Sequence, residues 1–124
     1  MARSTKRKRK TRRVQYEPRL VVVKVLSNDF LRTLVQIVCG SSLPLSSGRI
    51  AKEISRILGR EYSHAYVSTY LKRLEKWGVV RPYRDPTNGR LLWWCADTKT
   101  AEMIANELRK HEIKRLLEVM SGDA

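Results

Sequence analysis

The sequence of 124 residues predicts a mainly α-helical fold with a small β-hairpin and an extra C-terminal helix. Three observations indicate this class. Apolar residues recur at helical spacing in the central segments, a reverse-turn sequence separates two runs of β-forming residues, and a last helical pattern reaches about Met120. We expect residues 1–13 to be a disordered basic arm, residues 14–97 to form one domain, and residues 98–124 to form the C-terminal helix.

The first part of the domain contains one segment whose structure the sequence leaves open. Residues 20–26 are rich in β-branched side chains, so they fit a strand, but their length and neighbours also allow a helix. Ser27, Asn28 and Asp29 are candidate N-caps for a helix that runs to about Val38. The sequence Gly-Ser-Ser at residues 40–42 ends that helix, and residues 43–45 are predicted to be a short extended segment.

Two amphipathic helices are predicted next, joined by a tight turn. Ser46 or Ser47 caps the first, which ends at Gly59, where a left-handed residue is expected. Its predicted buried residues are Ile50, Ala51, Ile54, Ile57 and Leu58.

Ser63 caps the second of these helices. Val67, Leu71 and Leu74 fall at i, i+4 and i+7 and form one apolar stripe. A rotation of about 100° per residue places a mainly polar and cationic set on the opposite side. This set comprises Ala65, Ser68, Thr69, Lys72, Arg73 and Lys76.

The hairpin and the last helix follow. The turn sequence Asp-Pro-Thr-Asn-Gly at residues 85–89 lies between residues 79–83 and 91–95, which we predict to be paired strands. Trp93 and Trp94 must then point to opposite faces, one of them into the core. Thr98 or Thr100 caps the last helix, and its apolar pattern slips near His111. That apolar set is Ala101, Ile104, Ala105, Leu108, Ile113, Leu116, Leu117 and Met120.

The formal net charge of +14 is unevenly distributed along the chain. Residues 1–13 contain eight cations and no acid, and residues 14–97 contain 13 cations and 7 acids. Residues 98–124 contain five of each. A polyanionic partner is therefore expected at the arm and the central domain, because each neutralised phosphate releases counterions.

Several other classes of protein are not indicated. No run of 18 apolar residues and no signal peptide is present, so we expect a cytoplasmic protein. Cys39 and Cys95 are expected to be two core thiols, with a single disulfide as the alternative. No metal-ligand spacing, cofactor motif or catalytic pairing of Asp29, Asp85 and Asp97 is found, so neither a cofactor nor an enzyme is expected.

The order of elements and two local sequences resemble a winged helix-turn-helix. Residues 50–54, Ile-Ala-Lys-Glu-Ile, look like the first helix of the pair. Residues 67–80 match the pattern V-S-x-x-L-x-x-L-x-x-x-G-x-V at every fixed position, as in MarR-like, ArsR-like and archaeal winged-helix regulators. The resemblance covers residues 28–97. It implies a transcriptional regulator that binds double-stranded DNA, as a homodimer paired through the C-terminal helix. A helix folded back over a tryptophan of its own domain is the alternative for that element.

The resemblance also nominates site residues. Near the start of the recognition helix, Ser63, His64, Ala65, Tyr66, Ser68 and Thr69 suit base edges, whereas Lys72, Arg73 and Lys76 suit phosphates. The predicted wing residues are Arg84, Asn88 and Arg90. The predicted arm residues are Lys6, Arg7, Lys8, Arg9, Lys10, Arg12 and Arg13. Three alternatives stay open, namely a structural RNA-binding protein of the ribosome, a chromatin-type DNA-compacting protein and a protein-interaction module.

Overall fold

The computed structural model describes residues 17–122, so the predicted arm over residues 1–13 lies outside the described residues. The elements are, in order, α1 (Pro18–Leu26), α2 (Asp29–Gly40), α3 (Ser47–Leu58), α4 (His64–Lys76), β1 (Val80–Arg84), β2 (Leu91–Cys95) and α5 (Lys99–Gly122). The two strands pair antiparallel, with Val80 opposite Cys95 and Arg84 opposite Leu91. The predicted fold class is confirmed.

The segment that the sequence left open is a helix, α1. It buries Val21, Val22 and Val25, a spacing that fits one helical face, whereas a strand would bury alternate residues. The Glu17 carboxylate caps it by accepting the Arg19 N–H, and Pro18 occupies the first turn, where no N–H is needed. The helix packs against α2 and α5.

The ends of the helices follow the predicted caps. The Asn28 side chain accepts the Leu31 N–H at 2.9 Å, and the Ser46 and Ser63 hydroxyls each accept the N–H three residues later at 3.1 Å. Ser46, rather than Ser47, is therefore the cap of α3. Gly59 ends α3 with φ of +71°, a left-handed conformation that a side chain with a Cβ adopts only under strain.

The core lies between the helices and the base of the hairpin. Val67, Leu71 and Leu74 of α4 are each 0% exposed, so the predicted stripe faces inward as expected. The prediction for Ile57 is wrong, since its side chain is 51% exposed. Ile50, Ala51 and Ile54 are buried and Leu58 is half-buried, and together they define an arc of α3 that leaves Ile57 at its edge.

The default expectation of two core thiols is also wrong, because Cys39 and Cys95 form a disulfide. The fold brings the end of α2 and the end of β2 together, with the two Cα atoms 4.6 Å apart. Two backbone hydrogen bonds between Leu45 and Trp93, at 2.9 and 2.7 Å, join the same parts of the chain. Trp93 is buried in the core, and the Trp94 indole N–H donates to the Ser41 carbonyl at 3.3 Å. The base of the hairpin is therefore fixed to the segment that follows α2.

The last helix, α5, divides into two halves. The Thr98 hydroxyl accepts the Ala101 N–H at its start, as predicted, and Ala101 and Ile104 are buried against the body of the domain. Beyond His111 the predicted apolar residues are exposed, namely Ile113, Leu116, Leu117 and Met120. Within residues 17–122, no helix has the length and apolar character needed to cross a membrane.

Candidate nucleic-acid interface

Helix α4 presents its polar side to solvent. Its buried stripe fixes its orientation, and Ala65, Thr69, Lys72 and Lys76 are all exposed on the side turned away from the core, which we call the outer face. Arg73 is exposed beside this face, whereas Ser68 is half-buried at its other edge. The predicted phosphate-binding cations are therefore together on one helix and open to a partner.

The polar groups at the start of α4 are oriented by the helix itself. The Ser63 hydroxyl accepts the Tyr66 N–H, and the Thr69 hydroxyl donates to the Ala65 carbonyl at 3.1 Å. Ser63 and His64 are both exposed. The Ser63 hydroxyl and the His64 imidazole are therefore accessible at the start of α4.

Tyr66 belongs to an aromatic cluster that the sequence analysis did not identify. Phe30 of α2 contacts Tyr62, Tyr66 and Tyr70, with ring centroids 5.0, 5.2 and 5.0 Å away. The spacing of the three tyrosines, four residues apart, is the signal that could have revealed it. A hydrogen bond with Tyr70 raises the pKa of Tyr66 above its usual value of 10.0.

An open groove lies between α1 and α4. Its volume is about 470 Å³, and its lining residues are Lys24, Thr69, Lys72, Arg73, Lys76 and Trp77. No carboxylate lines it, and the Lys24 ammonium lies 5.5 Å from the centre of the Trp77 ring. Sequence reasoning missed Lys24 because α1 is distant in sequence from α4, and no local pattern connects them.

The cations of this region are not neutralised within the described part of the chain. The ion pairs of residues 17–122 are Asp29–Arg32, Glu53–Arg56 and Glu107–Lys110, and each joins residues of one helix. None includes Lys24 or a cation of α4. The same residues contain no group of three or more His, Cys, Asp or Glu side chains that could hold a metal ion.

The wing turn uses several of its polar groups internally. The Arg84 guanidinium donates to the Gly89 carbonyl at 2.8 Å, and the Asn88 side-chain oxygen accepts the Arg90 N–H at 3.0 Å. Arg90 is exposed, and its guanidinium forms no hydrogen bond within residues 17–122. Among the predicted wing residues, Arg90 therefore has the side chain least committed to the turn.

We expect the wing turn to loosen in acid. Hydrogen bonds from the Thr87 hydroxyl and then the Thr87 N–H hold the pKa of Asp85 below its usual value of 3.8. A lowered folded-state pKa means that this stabilisation is present above pH 3.8 and is lost as the pH falls through the lower, folded value. Hydrogen exchange of the Thr87 amide should therefore accelerate only in that acidic range, and Asp85→Asn should remove the pH step. An unchanged step in Asp85→Asn would contradict this assignment.

The arrangement of α3, α4 and the β1–β2 hairpin defines a winged-helix domain, here followed by a long helix. Its structure is similar to that of a mutant of Lactococcus lactis ZitR in the apo form, a winged-helix transcriptional regulator of the MarR family. The TM-score is 0.55 at 17% sequence identity, and the match covers 84% of this chain and 75% of ZitR. At this identity the likeness establishes the fold. Neither the family models nor the curated proteins that were compared with the chain gave a match.

Proposed function

We propose that this protein binds double-stranded DNA and regulates transcription, with α4 in the major groove. One observation carries the proposal, namely that the apolar stripe of α4 is fully buried while Lys72, Arg73 and Lys76 remain exposed. A recognition helix requires this division, because its inner side must be fixed by the core while its outer side contacts the groove. Occupancy of a promoter would then block or recruit polymerase.

Each part of the interface has a proposed role. Ser63, His64, Ala65, Tyr66, Ser68 and Thr69 would meet base edges, and the three cations of α4 would meet phosphates. Arg90, with Arg84 and Asn88 supporting the turn, would follow the backbone or the minor groove. The arm would extend these contacts, since 13 residues span at most roughly 45 Å when extended, and the arm precedes α1 in the sequence, whose Lys24 lines the groove beside α4.

The first test removes two cations from the proposed recognition helix. We expect Lys72→Ala with Arg73→Ala to weaken duplex binding roughly 30-fold, because each contact contributes about 1 kcal/mol. The plot of log affinity against log salt should become shallower by about two units. Fluorescence anisotropy over a salt series measures both quantities.

The control for this test is Lys99→Ala with Lys114→Ala, which removes two exposed cations from α5 and should leave both quantities unchanged. Competition with RNA hairpins addresses the structural RNA-binding alternative. Equal or better binding of RNA than of duplex DNA would contradict the proposal, as would an unaltered affinity in the α4 variant. A chromatin-type protein would instead bind all duplex sequences alike at physiological salt.

We further propose that the protein acts as a homodimer through α5. Ile113, Leu116, Leu117 and Met120 fall at i, i+3, i+4 and i+7 and are between 52% and 74% exposed. At about 100° per residue, the centre of this stripe lies more than 100° around the helix from Ile104 and from Leu108, which pack on the body. It therefore cannot fold back on its own domain by continuing the same face. The same stripe on a second copy of the chain is equally apolar, so the two could bury each other. Because residues 98–124 have no net charge, two copies of this segment would not repel each other.

A further inference from the structure

Along one side of α4, three cations each lie over an aromatic ring. The Arg73 guanidinium lies 5.0 Å from the centre of the Tyr70 ring, the Lys24 ammonium 5.5 Å from that of Trp77, and the Arg60 guanidinium 6.0 Å from that of Tyr62. These are distances at which a cation is attracted by the face of a ring. Only Arg73 belongs to α4, since Lys24 lies on α1 and Arg60 lies in the turn before α4.

The three pairs share one side of the helix. The rotation of about 100° per residue places Tyr66, Tyr70, Arg73 and Trp77 within one sector of α4, and Tyr62 stacks on Tyr66 with ring centroids 5.6 Å apart. We call this side the aromatic flank. The opposite flank of α4 presents His64, Ser68 and Glu75, which include an acid and no lysine or arginine.

The rings are held firmly, and this positions the cations. Phe30 contacts all three tyrosines and packs against the hydrophobic core, so the cluster is continuous with the folded body. A cation whose side chain already lies on a fixed ring loses less conformational entropy when it binds an anion. Glu61 follows Arg60 in the turn but forms no ion pair with it in the described chain.

We propose that Arg60, Arg73 and Lys24 form a row that binds the phosphates of one DNA strand along the aromatic flank. The proposal rests on the proposed DNA-binding function. It adds Arg60 and Lys24 to the DNA interface, and these two residues belong to neither the recognition helix nor the wing. From Tyr62 to Trp77 the flank is about 20 Å long, at about 1.5 Å per residue. Measured along the axis of a duplex, that length corresponds to the rise of roughly six base pairs at about 3.4 Å each.

The chemistry of the flank favours phosphates over stacked bases. Base stacking needs open ring faces, whereas here cations cover faces of Tyr62, Tyr70 and Trp77 and neighbouring rings contact the tyrosines. The groove at the Lys24 end is lined by lysine and arginine side chains and has no carboxylate in its lining. A backbone phosphate fits this set of cations.

The experiment measures duplex DNA binding by the full chain over a salt series, for Lys24→Ala, Arg60→Ala and the double variant. Each single variant should weaken binding several-fold. The slope of log affinity against log salt should become shallower by about 0.9 in each single variant and by about twice that amount in the double variant. Lys99→Ala and Lys114→Ala, which remove exposed cations of α5, should leave the slope unchanged. Melting temperatures confirm that each variant is folded.

A second pair of variants tests the role of the rings without changing charge. Tyr70→Leu should weaken binding, whereas Tyr70→Phe, which keeps the ring under Arg73, should retain it. In an Arg73→Ala background, Tyr70→Leu should have no further effect on affinity, because the cation that it positions is gone. A purely structural role of Tyr70 would instead weaken binding by the same factor in both backgrounds, and this result would overturn the positioning role.

The results of these experiments test the row of cations and the proposed DNA-binding function separately. Salt-dependent duplex binding by the wild-type chain, with unchanged slopes for Lys24→Ala and Arg60→Ala, would overturn the row and leave the DNA-binding function in place. A wild-type chain without affinity for duplex DNA would overturn the function itself. Losses that appear only with single-stranded oligonucleotides would overturn the assignment of the row to a duplex.

Discussion

Replacing Cys39 and Cys95 together by alanine will lower the free energy of unfolding by about 4 kcal/mol, as expected for the loss of a disulfide that closes a loop of this size. The two cysteines are 56 residues apart in sequence, so their bond restricts much of the unfolded chain. For a domain of this size the expected fall in melting temperature is roughly 20 °C. Urea unfolding of the wild-type chain and the variant measures the difference.

Reducing agent supplies the matched comparison. The wild-type chain should lose the same stability when reduced, and the double-alanine variant should not respond to the reductant at all. A melting temperature of the wild-type chain that is indifferent to reductant would contradict the prediction. The same experiment tests the position of the wing, because the bond joins the end of α2 to the end of β2.

The parts of the fold that sequence reasoning predicted correctly are those determined by local physics. Ser63 caps α4 and Gly59 ends α3 because a hydroxyl group and a left-handed residue satisfy backbone groups only a few residues away. The apolar stripe of α4 depends only on the helical period. The hairpin follows from the turn sequence at residues 85–89, whose Gly89 has φ of +72°.

The parts that were missed depend on contacts between distant segments. The disulfide requires the hairpin to return to the end of α2, and the groove containing Lys24 requires α1 to lie beside α4. The helical period predicts which side of each helix is buried, but it does not predict which other element packs against that side. Ile57 was assigned to the core on the same ground, although the buried arc of α3 is centred on other residues.

The candidate site was predicted only in part, for the same reason as the fold. The exposed cations of α4 follow from the position of its apolar stripe, so they could be identified from the sequence. The internal hydrogen bonds of Arg84 and Asn88 could not, because they depend on how the turn closes. The aromatic flank combines residues of α1, α2, the α3–α4 turn and α4, and such a surface emerges only when these elements are packed.

The largest functional effect is expected at the exposed stripe of α5. Leu117→Glu places a charge in the middle of the proposed dimer interface, where burying it without a partner is unfavourable. We expect the mass in solution to fall from twice 14.4 kDa to 14.4 kDa, as measured by light scattering. Affinity for a DNA with two half-sites one helical turn apart should fall at least roughly 100-fold, because the second contact is no longer intramolecular.

Val119→Glu is the matched control for this prediction. Val119 is 65% exposed on the same helical half and receives the same charge, but it lies off the stripe formed by Ile113, Leu116, Leu117 and Met120. It should leave both the mass and the affinity near those of the wild-type chain. Affinity for a single half-site should be unchanged in both variants, since α4 is intact in each. A wild-type mass of 14.4 kDa, or equal effects of Leu117→Glu and Val119→Glu, would contradict pairing through this stripe and would leave α4 to bind DNA as a monomer.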